Sequence, residues 1–442
     1  MAQTTFSRAP FVRGAALAVT AGAILGMNAM PAAADTPTDA HVAGFLATQL
    51  TAGGDHLSTT YGTDVYADHG LTVDAALALT ATGVAGDQST AATAWVVANS
   101  ADYVGAGTDV YAGSAGKLLT LLTARGVDAS NVGGRDLVAA VQSTEGADGH
   151  YADVSPWGDY SNAIGQGFAL IGLQRAGANP STAAVDFLLQ QQCADGGFRL
   201  ELTGDACVSD PDVTSIAVQA LAVVGGHDDA IAEAAAYLKG KQAADGSVNG
   251  GTSTDTPNSN STGLAAAAFR IAGLDAEATA ARTWVAGLVY DCSFPAAVRG
   301  GIAYDQAAFD ARLASGDDAV ADQDVRATTQ AVLGLTDTDY TTATAAGESA
   351  TAPVLECATE PEPTDDPSDD PTGSTDEPTG STETPTDDTT GPIENTPLIP
   401  TVVQTDGIVR TSPLPAVGAG VLAVLAAGGA LLLGVRRRGA HR

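Results

Sequence analysis

The sequence predicts an all-α fold of six helical hairpins closed into an α/α toroid, and two observations carry that expectation. A segment of small and apolar residues ending in glycine recurs along the chain, each time preceded by a long polar loop and an amphipathic segment. An Asp-Gly pair also recurs, at Asp148-Gly149, Asp195-Gly196 and Asp245-Gly246, with spacings of 47 and 50 residues.

The glycine-ended segments define the inner helices. They are GLTVDAALALTATG to Gly83, AGSAGKLLTLLTARG to Gly126, AIGQGFALIGLQRAG to Gly177, DVTSIAVQALAVVGG to Gly226 and NSTGLAAAAFRIAG to Gly273, with DVRATTQAVLGL, Asp324 to Leu335, as the sixth. Apolar residues run nearly all round these segments, which predicts helices buried on most sides. The closing glycine supplies a left-handed cap. The outer helices are narrower in pattern. In STAAVDFLLQQQ, Val185, Leu188, Leu189 and Gln192 share one face, and Ser181 can cap the start. Six such pairs can close into a ring. An open solenoid is the alternative, but polar capping repeats are nearly absent, which favours closure. The hexapeptide GTDVYA occurs twice, at Gly62–Ala67 and Gly107–Ala112, just before the first two inner segments.

The ends of the chain are of another kind. Arg8 and Arg13, the apolar run Gly14 to Met30 and Ala32-Ala33-Ala34 read as a signal peptide over residues 1–34, with the mature chain starting at Asp35. Residues 35–357 form the toroid body. Residues 358–412 are Pro, Thr, Ser, Asp and Glu with almost nothing to bury, so a disordered acidic stalk is expected. Residues 413–435 are apolar enough to span a membrane, and a basic tail, residues 436–442, follows, which places the body outside the cell. Leu414, Pro415 and Gly418 lie in L-P-A-V-G, which resembles the L-P-x-T-G sorting signal of Gram-positive surface proteins, with Val417 where that signal has Thr. Membrane anchorage is the expectation, with attachment to the cell wall as the alternative.

The chain carries 19 Lys and Arg against 52 Asp and Glu, a formal charge of −33, which excludes nucleic acid as a partner. From Ala327 to Val409 there is no Lys or Arg. An exported chain meets oxidising conditions, so its four cysteines predict two disulfides. Three connectivities are possible, and sequence-local pairing, Cys193–Cys207 and Cys292–Cys357, is the expected one.

Gln192-Cys193-Ala194-Asp195-Gly196-Gly197-Phe198 reads Q-x-x-D-G-x-aromatic, and Gln242 to Val248 reads the same way without the aromatic. Gln142 to Tyr151 is a longer variant. This pattern resembles the repeat of the squalene/hopene cyclases and prenyltransferase β-subunits, here in a divergent, secreted and surface-anchored form. The resemblance covers most of residues 36–357 and implies the α/α toroid. It also implies structural turn roles for Gln192, Asp195, Gly196 and Gly197. The secreted cobalamin carriers share that fold type, so a corrinoid, or an isoprenoid, is a ligand the resemblance brings in.

No catalytic residue set emerges. Class II terpene cyclases need D-x-D-D, and Asp322-Gln323-Asp324-Val325, Asp210-Pro211-Asp212-Val213 and Asp337-Thr338-Asp339-Tyr340 each stop short of it. Aromatic residues make up only 5%, few for a carbocation cavity. Asp205-Ala206-Cys207 has the D-x-C spacing of a prenyltransferase zinc pair, but no His lies between His227 and His441 to complete it. The thioester sequence G-C-G-E-Q, a P-loop, H-E-x-x-H and G-x-S-x-G are absent. The reading calls for no metal and no cofactor.

A toroid presents one funnel at the starts of its inner helices. The loops there carry Asp64, Tyr66, Asp109, Tyr111, Tyr151, Trp157, Tyr160 and Tyr304, which are the candidate ligand-binding residues. Gap-filling between hairpins is the other role open to them. Asp74 and Lys117 each lie nine residues before a helix-ending glycine, so adjacent hairpins can bring them together as a partly buried ion pair. Three functions follow: an anchored, non-catalytic toroid that binds a ligand or protein partner outside the cell; a divergent cyclase-like or prenyltransferase-like enzyme; or a purely structural surface protein.

Overall fold

The computed structural model describes residues 38–204, 206–251 and 256–357. The expected leader, stalk, C-terminal apolar span and sorting-like motif lie outside the described residues. No helix among the described residues is long and apolar enough to cross a membrane.

The body is all-α apart from short strand pairs. Its helices are α1 (Asp39–Ala52), α2 (His69–Thr82), α3 (Gly86–Ala98), α4 (Ser100–Val104), α5 (Ala112–Arg125), α6 (Leu137–Ser143) and α7 (Ala163–Arg175). They continue with α8 (Thr182–Leu189), α9 (Pro211–Val224), α10 (Asp228–Lys241), α11 (Ser259–Ile271), α12 (Asp275–Ala286), α13 (Gln306–Ser315) and α14 (Asp322–Ala331). Strands β1 (Ser58–Tyr61) and β2 (Asp64–Ala67) form one antiparallel hairpin, and β3 (Phe198–Arg199) pairs with β4 (Ser209–Asp210).

Six helices form the inner ring. α2 packs on α5, α5 on α7, α7 on α9, α9 on α11, α11 on α14, and α14 returns to α2. The ring is therefore closed, as the hairpin count predicts. Small residues let the inner helices approach closely. A Cβ built on Gly116 would lie 2.6 Å from the Ala169 Cα, and one on Gly263 would lie 2.7 Å from the Ala331 Cα. These contacts explain why glycine and alanine dominate segments that are otherwise ordinary helix formers.

One device joins five of the six outer-to-inner loops to their helices. Thr72, Thr214, Thr262 and Thr328 each accept a backbone N–H from the loop (Leu57, Phe198, Val248 and Ile302, at 2.8–3.0 Å). Each hydroxyl also donates to the carbonyl four residues earlier. Gln166 does the same work in α7, accepting from Tyr151 N and donating to Gly149 O and Ala184 O. Four inner helices, α2, α7, α9 and α11, are thus capped by Asp or Asn followed four residues on by Thr or Gln, and in α14 the same pair, Asp324 and Thr328, lies just inside the helix. α5 departs from this rule: its start is Tyr111, and its Ala112 N–H is taken by Asp153 from the neighbouring loop.

The Asp-Gly turns link neighbours on the outside. Gln192 Nε2 donates to Gly196 O and to Ala230 O of α10; Gln242 Nε2 donates to Gly246 O and to Glu277 O of α12. In the third hairpin Glu145, not Gln142, occupies this position. Glu145 pairs with Tyr151 and receives the Ser181 hydroxyl at the start of α8, whereas Gln142 is exposed. The turn glycines have φ between 84° and 97° at Gly149, Gly196, Gly246 and Gly300. A Cβ there would meet Ala183 O, Glu233 O, Ala280 O and His41 O at 2.1–2.6 Å. The last of these contacts lies on α1, so the ring closes outside as well as inside.

Outer helix α8 ends at Leu189, and Ser181 caps it through Ala184 N as expected. Gln192 falls beyond the helix, since the chain has already turned to pair Gln192 with Phe198. Asp210 rather than Asp212 caps α9, because Pro211 occupies the first helical position and Asp212 lies within the first turn. Both expected disulfides are present, Cys193–Cys207 and Cys292–Cys357.

Candidate functional site

Each inner helix carries one buried residue at a matching height. Two residues beyond the loop-bonded Thr or Gln of each inner helix stand Asp74, Phe168, Ile216, Leu264 and Gln330, with Lys117 at the matching place on α5. All six are buried. Lys117 Nζ is 2.5 Å from Asp74 Oδ1 and 5.5 Å from the centre of the Phe168 ring. The expected ion pair therefore forms, and it is fully rather than partly buried, at 4% and 1% side-chain exposure.

The C-terminal end of the ring is plugged by the chain itself. Tyr340 is 2% exposed and packs on Phe168 at 5.2 Å between ring centres, and its N–H donates to Gln219 Oε1 of α9. Arg175 of α7 donates to the carbonyls of Tyr340, Thr341 and Ala343. Arg270 of α11 donates to Leu333 O and Thr338 O, and Thr338 donates to Ala81 O of α2. Ala345 N–H bonds Ala124 O of α5, and Ser349 N–H bonds Gly83 O. Arg125 pairs with Glu348. These arginines sit at helix C-termini, where exposed carbonyls and the helix dipole favour a cation. The loop-end expectation left this strap out; the three arginines at helix ends were the available signal.

The other end carries the candidate residues, and the structure divides them. Asp64 and Tyr66 lie exposed on β2, where Tyr66 packs against Tyr61 at 6.0 Å. Tyr111 is half-buried at the start of α5, its hydroxyl pushed up by burial and then by Asp109 and Asp153. Asp109 is half-buried and gives its carbonyl to Arg135. Trp157 and Tyr160 are 59% and 48% exposed. Tyr151, by contrast, is 1% exposed and belongs to the core, where its N–H is held by Gln166 and it offers a ligand no surface. Tyr304 is half-buried and accepts Ser259 N–H through its carbonyl.

Sequence reasoning missed what pins this rim. Val110 and Val154 pair as an isolated bridge, joining the second and third loops. Asp153 accepts Ala112 N–H at 2.8 Å and Tyr160 N–H at 3.3 Å. Burial pushes the Asp153 carboxyl up against the pull of those two amides. Asp159 is pushed up by burial but ends low, because the Ser161 hydroxyl and the Asp153 and Ser161 amides outweigh it. On the opposite rim Thr60 N–H bonds Asp322, and Arg326 bridges to Asp68 at 3.0 Å. Arg312 pairs with Asp324, which also receives the Tyr290 hydroxyl. No group of three or more His, Cys, Asp or Glu side chains converges among the described residues in the way a metal ion requires.

These features define a closed α/α toroid with one plugged end and one aromatic, acidic rim. No family model and no curated protein sequence matches the chain. Among solved structures, ent-copalyl diphosphate synthase from Streptomyces platensis is 18% identical, with a TM-score of 0.39. That match covers 60% of this chain and 50% of the synthase chain, so only half of the synthase is spanned. The type II terpene cyclase MstE from Scytonema is 13% identical at a TM-score of 0.49, covering 67% of this chain and 96% of its own. A glycosidase matches at 13% identity and a TM-score of 0.47, over 67% of this chain and 96% of its own.

Proposed function

We infer that this protein is an exported, surface-anchored and non-catalytic toroid that binds a ligand or a protein partner on the loop end of its ring. The observation that carries the reading is a contrast between the two ends. Asp74, Lys117, Phe168, Ile216, Leu264 and Gln330 are buried at matching heights of the six inner helices, and Tyr340 packs on Phe168 from the C-terminal end, so the inside of the ring offers no exposed aromatic surface. The loop end instead presents Tyr61, Val65, Tyr66, Val154, Trp157 and Tyr160 at 44–67% exposure. Exposed aromatic side chains with polar tips, set among carboxylates and held by backbone bonds, are the composition of a recognition surface. A corrinoid, an isoprenoid head or a protein loop would lie across this rim rather than within the ring.

Export and anchorage rest on the sequence at the two ends of the chain, and two disulfides accord with an oxidising location. The test is native mass spectrometry of the chain recovered from its own cells, compared with a Trp157→Ala/Tyr160→Ala variant. A bound mass that the variant loses supports the reading. A bare wild-type chain overturns it, as does turnover of a polyprenyl diphosphate abolished by one Asp→Asn change.

A further inference from the structure

We propose that Asp74 and Lys117 condense into an intramolecular amide, cross-linking α2 to α5 inside the ring. The proposal is independent of what the rim binds. It starts from contact: the Lys117 amine touches the Asp74 carboxyl at 2.5 Å, with both side chains shut off from solvent. Holding two reactants this way replaces a collision in solution by an effective concentration of about 10⁵ M or more.

The choice of residue points the same way. The chain has three lysines and sixteen arginines. Lys239 and Lys241 are exposed on α10, so the core holds the single remaining lysine. The other buried or half-buried cations of the ring, Arg125, Arg175, Arg270 and Arg326, are arginines that bond carbonyls or carboxylates. A permanent ion pair would be served at least as well by arginine. A lysine amine can shed its proton and act as a nucleophile, which a guanidinium does not do.

The surroundings favour the uncharged form of Asp74. Phe168 and the ring of Tyr340 lie against the site, and the phenols of Tyr103 and Tyr340 are pushed well up, first by burial and then by the charge of Asp74. Burial likewise raises Asp74, against the opposing effect of Lys117; Asp68 and Arg326 are the more distant charges that act on it. In the proposed step one proton passes along the contact and converts ammonium and carboxylate into amine and carboxylic acid.

The step then balances without a co-reactant. The Lys117 Nζ lone pair attacks the Asp74 Cγ, forming the C–N bond. One N–H proton moves to the carboxyl hydroxyl, the Cγ–O bond breaks, and one water leaves. The proposed way out for that water is toward the rim, where the partly exposed Gly70 of α2, one helical turn away, adds no side chain. Once water has left, the burial of both side chains keeps it from returning to hydrolyse the bond.

The test is mass spectrometry of the full wild-type chain, reduced and denatured. Chymotrypsin cuts after Trp95 and Tyr103, between the two residues, so the amide gives one bridged peptide pair lighter by a water than its two parts. Trypsin then fails to cut after Lys117. Lys117→Met gives two separate peptides at full mass. Separate, full-mass peptides from the wild-type chain would overturn the proposal and leave a permanent ion pair. The wild-type digest alone decides, even where the variant does not fold. Rim binding is read separately, so either result leaves that reading to its own experiment.

Discussion

Gly300, in the turn of the last hairpin, rests against the His41 carbonyl of the first helix. A Cβ at this glycine would lie 2.6 Å from that oxygen, and its φ is 84°. The turns of the third, fourth and fifth hairpins touch the following outer helix in the same way, so the seam where the chain's two ends meet repeats the junction used through that half of the ring. Gly300→Ala combines left-handed strain with a backbone clash and is expected to cost about 2–4 kcal/mol. Urea denaturation checks this. A control at Gly54, which also has positive φ but open space around it, isolates the strain from the clash.

Tyr340 closes the axis from below. Its truncation removes a fully buried ring packed on Phe168 and loosens the strap that Arg175 grips. Tyr340→Ala is expected to lose about 3–5 kcal/mol. Amide exchange should rise first in residues 336–350, ahead of the inner helices, because the strap's bonds run to helix ends rather than within a helix.

The loop-bonding threonines make a sharper test of a hydrogen bond. Thr262→Val keeps the shape of the side chain but orphans the buried Val248 N–H. The expected cost is about 1–3 kcal/mol. Thr262→Ser retains the oxygen and should recover most of that loss. If both substitutions behave alike in thermal melts, the bond is not what holds the loop.

Acid should open the ring at α14 and the β1–β2 hairpin. Burial pushes Asp68 up, but Arg326, the Leu71 amide and the Thr59 hydroxyl outweigh it, and the carboxyl ends below its ordinary value. A lowered carboxylate contributes stability that is present above its unfolded pKa, about 4, and lost as pH falls through the lower folded value. Asp68→Asn should therefore lower stability at neutral pH and flatten its fall below about pH 4. Melting curves of both proteins across pH 2–7 provide the comparison.

The inner helices were legible because their apolar pattern and glycine stops are local. α2 and α5 end at Gly83 and Gly126 with φ of 69° and 65°, where the pattern puts their caps. The Asp74–Lys117 meeting was legible for a related reason: equal distances from two caps set equal heights in adjacent helices. The strap was not legible. TDTDYTTATAAGESA has the composition of a linker, and the arginines at helix ends that grip it bond mostly backbone carbonyls, which any segment offers, so they do not say which segment they hold. Tyr151 and Tyr160 show the same limit within one loop. Each is a tyrosine near an acidic residue, yet one is core and the other surface, because the long loop between α6 and α7, residues 144–162, can turn either way between fixed ends. The Gln142 register slipped by three residues to Glu145 because the repeat tolerates Glu where its other copies use Gln.

The Cys292–Cys357 bond has a mechanical consequence. Cys357 is the last described residue, and its partner sits in the turn of the sixth hairpin. Tension applied to the chain beyond Cys357 passes through sulfur to Cys292 and bypasses residues 293–356. The strap, Tyr340 and α14 all lie inside that bypassed loop, so a tug from the C-terminal side cannot unthread the plug from the ring. Reduction would reroute the load through the strap itself, pulling first on the buried Leu355 and then on Pro353, whose carbonyl packs against Gly44 of α1.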